Sequence, residues 1–184
     1  TAIEGVKIGT ATGTIEVTGH FGPWQKGDPG ATPLDGTYTF AADLATIKGL
    51  EGHLDATGQM GGMLEVITTR GETATKSFRI PRLRAGSLPL ATKYEALVDG
   101  TKGDVELTRV EIGLGRSTLH ARGVVAGTKG VSGKRVTLRV TSDALDLAEL
   151  LTFVTSTTPP AARGTLALGT AFDLLRSEAD VLDR

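Results

Sequence analysis

The chain of 184 residues contains no cysteine, few aromatic side chains (4%) and no apolar run near the ~20 residues that a membrane helix requires. The missing cysteines exclude disulfides and thiol chemistry, but do not fix the compartment. Scarce aromatics leave a core of Leu, Val, Ile and Ala, which suits an extended or curved sheet better than a compact sandwich. Neither sign of charge dominates. A net charge of −1 argues against a nucleic-acid binder, which needs a clustered cationic excess. The chain begins Thr1-Ala2-Ile3, with no initiator Met and no signal peptide. It reads as a fragment of a longer protein or a processed chain.

What is present is glycine, 25 residues of it, set between short alternating segments. Such spacing predicts strands separated by turns. The stretch Val98–Gly127 shows the pattern most densely. Asp99-Gly100 and Lys102-Gly103-Asp104 are turn signals, because Gly accepts positive φ and Asp bonds nearby backbone. Val105 and Leu107 alternate with polar residues, and then the apolar parity changes to Val110, Ile112 and Leu114. A period of two cannot change parity without an extra residue, so a bulge or turn is expected at Thr108-Arg109. Residues 113–117 read as another turn, before a strand with Leu119, Ala121 and Val125 inward.

Elsewhere, residues 13–19 alternate with Ile15, Val17 and Phe21 on one face, after a weak segment in which Val6 and Ile8 begin a strand. Residues 21–36 (FGPWQKGDPGATPLDG) read as a loop. Its Trp24 either folds back into the core or contacts a ligand or neighbour. Tyr38, Phe40, Ala42 and Leu44 mark the next strand. A short strand follows around Leu54 and Ala56, then a turn at Gly61-Gly62 and a hairpin across Arg70-Gly71, with strands over 63–69 and 72–80. Pro89 blocks a central strand where it stands, and a strand resumes over 90–98. Arg79, Arg82 and Arg84 form a local basic cluster, read as a solvated edge or a contact for acidic groups. Val136, Leu138 and Val140 alternate with Arg135, Thr137, Arg139 and Thr141. Over 143–154 the period shifts: Leu147, Leu150, Leu151 and Val154 form a helical stripe, with Asp146 as N-cap and Glu149 in capping-box position. This helix either covers sheet surface or lies at a membrane surface. Pro159-Pro160 stops it, and residues 164–174 form a long last strand carrying Leu166, Leu168, Phe172 and Leu174.

No catalytic constellation is visible. His20, His53 and His120 lack metal-ligand spacing. No nucleophile elbow, dinucleotide fingerprint or P-loop appears, and the acidic tail over 178–183 reads as a solvated end. A hydrolase or carbohydrate-active domain would need converging carboxylates, and none is indicated. No cofactor is expected.

Four segments together carry a resemblance: residues 21–58, VDGTKGDVELTRV (98–110), LHARGVVAG (119–127), and DLAELL with the following PPAARGTLALGTAFDL (146–174). Their order and spacing resemble the AsmA-like family of bacterial envelope proteins. The resemblance implies a repeating β module with an apolar groove, related to bridge-like lipid transfer proteins, non-enzymatic, and acting in phospholipid transport or homeostasis. It also implies a periplasmic location, with an inner-membrane anchor outside these residues.

The expectation is a mainly β fold. A curved, largely antiparallel sheet of about ten strands forms an open groove or half-barrel, with one short helix, as a single module over 1–184. From parity, the lipid-lining residues are Tyr38, Phe40, Val136, Leu138, Val140, Leu166, Leu168 and Phe172. The partners expected are a phospholipid or other acyl lipid and adjacent β modules of the same chain. The alternative is a structural β-sandwich interaction module without a groove.

Overall fold

Side chains that alternate between apolar and polar over about eleven residues favour strands whose two faces meet different surroundings. The computed structural model describes residues 2–9, 13–46, 48–83, 86–127, 133–152 and 162–175. Ten strands form: β1 (Ala2–Gly9), β2 (Gly13–Phe21), β3 (Pro33–Asp43), β4 (His53–Met63), β5 (Val66–Phe78), β6 (Leu88–Asp99), β7 (Asp104–Leu114), β8 (Ser117–Gly127), β9 (Lys134–Asp146) and β10 (Thr165–Leu175). They lie in a single sheet in sequence order, each antiparallel to the next. The sheet is open: β1 and β10 are its two edges. Nine strand spacings of ~4.8 Å make it roughly 43 Å wide. The two packed sheets of a sandwich are not what the described residues form.

The bulge expected at Thr108-Arg109 is present. Val110 pairs with Ala121 and Leu107 with Gly123, so two residues of β7 oppose one of β8. Thr108 Oγ1 donates to the Glu95 carbonyl at 2.9 Å and pins the extra residue. Similar register shifts lie in β1 between Ile3 and Val6, in β5 between Thr75 and Phe78, and in β9 between Ser142 and Leu145. Each adds local twist. The turn after β6 forms as read: Asp99 accepts from the backbone amides of Thr101 (2.9 Å) and Lys102 (3.1 Å), and from Lys102 Nζ at 2.8 Å. Gly103 adopts φ +70°.

Several readings are corrected. The hairpin does not turn at Arg70-Gly71, nor is Gly61-Gly62 a turn. Both pairs lie inside strands, and the chain reverses at Leu64-Glu65 between β4 and β5. The alternating positions of β5 that face the apolar side are Ile67, Thr69, Gly71, Thr73 and Thr75, so hydrophobic alternation is almost absent there. Pro89 does not exclude a central strand; it is the second residue of β6, beside the β5 bulge, and needs no ladder donor there. The loop after β2 ends sooner, because β3 begins at Pro33. Trp24 does not plug the core. It stands 52% exposed, its ring 6.0 Å from that of Phe21.

The helix is shorter than its stripe. α1 spans Leu147–Thr152, while residues 143–146 complete β9 and Val154 lies outside the described residues. Asp146 caps it, its Oδ1 accepting from the Ala148 (2.9 Å) and Glu149 (3.2 Å) amides. Ser117 Oγ, not Glu149, accepts from the Asp146 amide at 2.9 Å. The nearly buried Glu149 carboxylate instead ties α1 to the β7–β8 turn. It accepts from the Arg116 amide at 2.6 Å and from Ser117 Oγ at 2.8 Å. Of the basic cluster, Arg79 pairs with Glu51 at 3.4 Å, and Arg84 lies outside the described residues, as do Pro159-Pro160 and the acidic tail.

Candidate functional site

Strand register decides which side chains share a face. One row can be followed across the whole sheet: Val6, Val17, Tyr38, Gly58, Gly71, Tyr94, Val110, Ala121, Val140 and Thr170 stand opposite one another in turn. A parallel row joins Ile8, Ile15, Phe40, Ala56, Thr73, Thr92, Ile112 and Leu119. On the other side of the central row, Met60, Thr69, Ala96, Leu107, Gly123, Leu138 and Phe172 are aligned. These rows make one face mainly apolar. The other face carries most of the charged side chains, with threonine and some smaller apolar residues such as Ala74, Ala91 and Val124 between them.

The eight residues expected to line a groove therefore belong to a common face, but fall into two groups. Tyr38 and Phe40 stand on β3; Val136, Leu138 and Val140 on β9 and Leu166, Leu168 and Phe172 on β10 stand near the far edge. Leu138 is directly opposite Phe172, and Leu166 is opposite the buried Leu145 across the β9 bulge. Six strand spacings, roughly 29 Å, separate β3 from β9. Parity missed the residues between them, chiefly Met60, Leu90, Val98, Leu107, Val110 and Ile112. Their alternation was legible, and only the neighbour order that joins them to β3 and β9 was not.

No second layer covers this face among the described residues, since all strands belong to one sheet and the short α1 packs at the end of β9 and against the β7–β8 turn. The apolar side chains shelter one another only in part. Buried hydrophobics are mostly small, as with Ala42, Ala56, Ala96 and Ala121. Toward the edges the large ones stand open: Ile8 is 49%, Leu166 49% and Phe172 46% exposed.

The middle of the face is built differently. On β4 and β5, Gly58 and Gly71 are paired, and the flanking tyrosines fold over them. A Cβ at Gly58 would meet Tyr38 Cζ at 2.3 Å, and one at Gly71 would meet the Tyr94 hydroxyl at 2.7 Å. The Tyr38 hydroxyl bonds the Tyr94 hydroxyl and also lies 2.9 Å from Thr69 Oγ1. Three strands apart, the two rings thus bridge a lane without side chains of its own. Burial, and then the Tyr38 hydroxyl, push the Tyr94 phenol well above its ordinary value. Nearby, Thr75 Oγ1 is buried with no hydrogen-bond partner among the described residues.

A hollow of about 660 Å³ also crosses β3 to β7. It is lined by Arg70, Glu72, Lys93, Glu95, Arg109 and Glu111, with Gln59 and threonines on β3 and β4, all of polar-face parity, and by Tyr38, Gly58, Gly71 and Tyr94 of the central row. Most of its lining thus belongs to the polar face. Its charges alternate: Arg70 faces Glu95, Glu95 faces Arg109, and Lys93 stands between Glu72 and Glu111. No group of three or more His, Cys, Asp or Glu residues suited to a metal ion occurs among the described residues. No helix among them is long and apolar enough to cross a membrane.

Comparison with protein-family models, with curated proteins and with solved structures returns no match for this chain.

Proposed function

We propose that the protein is a non-enzymatic module that binds acyl lipid along its apolar sheet face. The observation that carries this reading is a ten-stranded sheet with one mainly apolar side and no protein layer over it among the described residues. An uncovered apolar surface of this breadth is costly in water, and monomeric soluble proteins rarely keep one. An acyl chain laid across the strands meets Ile, Val, Leu, Ala and Phe toward both ends, and threonine, glycine and tyrosine rings over β4 to β6. Each methylene removed from water contributes about 0.8 kcal/mol, so a chain is held without any specific polar contact. Movement along such a face needs no chemistry, only a continuous apolar path.

The Tyr38–Tyr94 bridge gives the path a floor where β4 and β5 offer only glycine. Both tyrosine hydroxyls are engaged with other hydroxyls, so they present ring rather than bare polar atoms to a lipid. The open edges β1 and β10 allow neighbouring β modules to continue the sheet, which would lengthen the apolar lane. Within this reading the protein works in the bacterial envelope on the periplasmic side, as the resemblance to AsmA-like proteins implies.

Extraction of the purified protein with organic solvent, followed by mass spectrometry of the extract, tests the reading. Stoichiometric phospholipid or fatty acid is expected. Protein that stays empty after incubation with phospholipid vesicles would refute it.

A further inference from the structure

Several charges on the polar face are matched across strands. Lys7 faces Glu16 at 2.8 Å, Glu72 faces Lys93, and Arg70 faces Glu95. Opposite charges stabilise such cross-strand pairs, and like charges placed directly opposite destabilise them. Two like-charged pairs nonetheless stand directly opposite: Asp99 faces Asp104, where Lys102 and Lys134 compensate the charge, and the second pair has no such compensation. Arg122 on β8 stands directly opposite Arg139 on β9. The β7 bulge sets Thr108 and Arg109 against Arg122 on its other side.

Three arginines are thus brought together on adjacent strands. Arg109 has carboxylates at hand, with Glu111 at 3.9 Å and Glu95 opposite. Arg122 and Arg139 have no ion-pair or hydrogen-bond partner among the described residues. Glu106 shares this face but stands opposite Val124, one pair farther along. Beyond Arg139, β10 offers Ala171, and Asp173 is committed to Arg135. The three arginines line a hollow of about 260 Å³, together with His120, Thr108 and Thr141.

We propose that this hollow is a binding site for a phosphate group, carried either free or on an anionic headgroup. Guanidinium forks match phosphate oxygens bidentately, and the Thr141 hydroxyl and the His120 ring supply further donors. The volume lies below the ~300–1,000 Å³ of pockets that enclose whole organic ligands, and suits one oxyanion. Like charges set directly opposite without a compensating partner are the kind of feature that function, not folding, explains. The site does not depend on the acyl-lipid reading. A lipid lying on the apolar face has the sheet between its headgroup and these arginines.

Two arms distinguish the sources. The first measures binding of inorganic phosphate and pyrophosphate by calorimetry. The second measures co-sedimentation with phosphatidylcholine vesicles with and without phosphatidic acid. Each uses the wild type, the double variant Arg122→Gln/Arg139→Gln, and the charge-matched control Lys7→Gln/Arg70→Gln. Saturable phosphate binding that weakens at least about 10-fold in the first variant but not in the control supports a free phosphate ligand. Binding only to phosphatidic acid vesicles, with the same dependence, supports a headgroup. Binding in neither arm, or equal loss in both double variants, overturns the site. Arg139→Glu gives Arg122 a complementary partner, so it is expected to raise the melting temperature of the free protein while abolishing phosphate binding. A lowered melting temperature would overturn the premise that the arginines repel one another unpaired.

Discussion

Gly58→Ala tests the tyrosine bridge through a change of sign. The new Cβ would lie 2.3 Å from Tyr38 Cζ and 2.4 Å from its hydroxyl oxygen, far inside contact distance. The ring must swing away, and its hydroxyl then gives up Tyr94 and Thr69. Two such hydrogen bonds are together worth about 1–3 kcal/mol net. Against this, alanine in a strand is favoured over glycine by roughly 0.5–1 kcal/mol. The expected result is net destabilisation of about 1 kcal/mol. In a Tyr38→Ala background the three atoms nearest to the new Cβ are gone, so the same substitution is expected to stabilise by roughly 0.5–1 kcal/mol. Urea unfolding followed by far-UV circular dichroism, run as a double-mutant cycle, gives the coupling directly. An equal effect of Gly58→Ala in both backgrounds would refute the bridge.

Three further outcomes follow from single sites. Tyr94 is one of only two tyrosines, and its raised pKa keeps it neutral in the folded protein at pH values where the unfolded chain ionises. Its contribution is therefore complete below about pH 10 and is lost as pH rises beyond that. The urea midpoint should fall on that limb, and tyrosinate absorbance should show a phenol titrating late; the absence of any late phenol would contradict this. Glu149→Ala strands the Arg116 amide and the buried Ser117 hydroxyl, so a loss of about 2–4 kcal/mol is expected by denaturant titration, against less than about 0.5 if the β7–β8 turn is held otherwise. Thr75→Val removes a buried hydroxyl without a partner at nearly constant volume, and should raise stability by about 1 kcal/mol; a destabilised variant would show that the hydroxyl is satisfied.

Much of the sheet was legible because its signals are local. The parity change around Thr108-Arg109 requires an extra residue, and the bulge is there. The alternation of Val136, Leu138 and Val140 placed β9, and Asp146 marked the helix start through its short acceptor side chain. Strand β5 was illegible for a physical reason. Its apolar-side positions are occupied largely by threonine and glycine, so hydrophobicity does not alternate, and Arg70-Gly71 mimics a turn. What shelters that segment is non-local: Tyr38 and Tyr94 reach over it from β3 and β6. The candidate lipid face was legible by parity at its two ends but not as one surface, because register is a property of neighbouring strands. The arginine cluster was invisible for the same reason. Arg109, Arg122 and Arg139 are separated by 13 and 17 residues, and only β7–β8–β9 pairing brings them together.

The most direct test of the acyl-lipid reading compares adjacent residues on opposite faces. A photo-reactive amino acid is placed at Leu138, on the apolar face, or at its neighbour Thr137, on the polar face. The protein is incubated with phospholipid vesicles, irradiated and analysed by mass spectrometry. Lipid adducts at Leu138 and none at Thr137 are the predicted result. Adducts at neither position, or equally at both, would contradict a lipid held along the apolar side of the sheet.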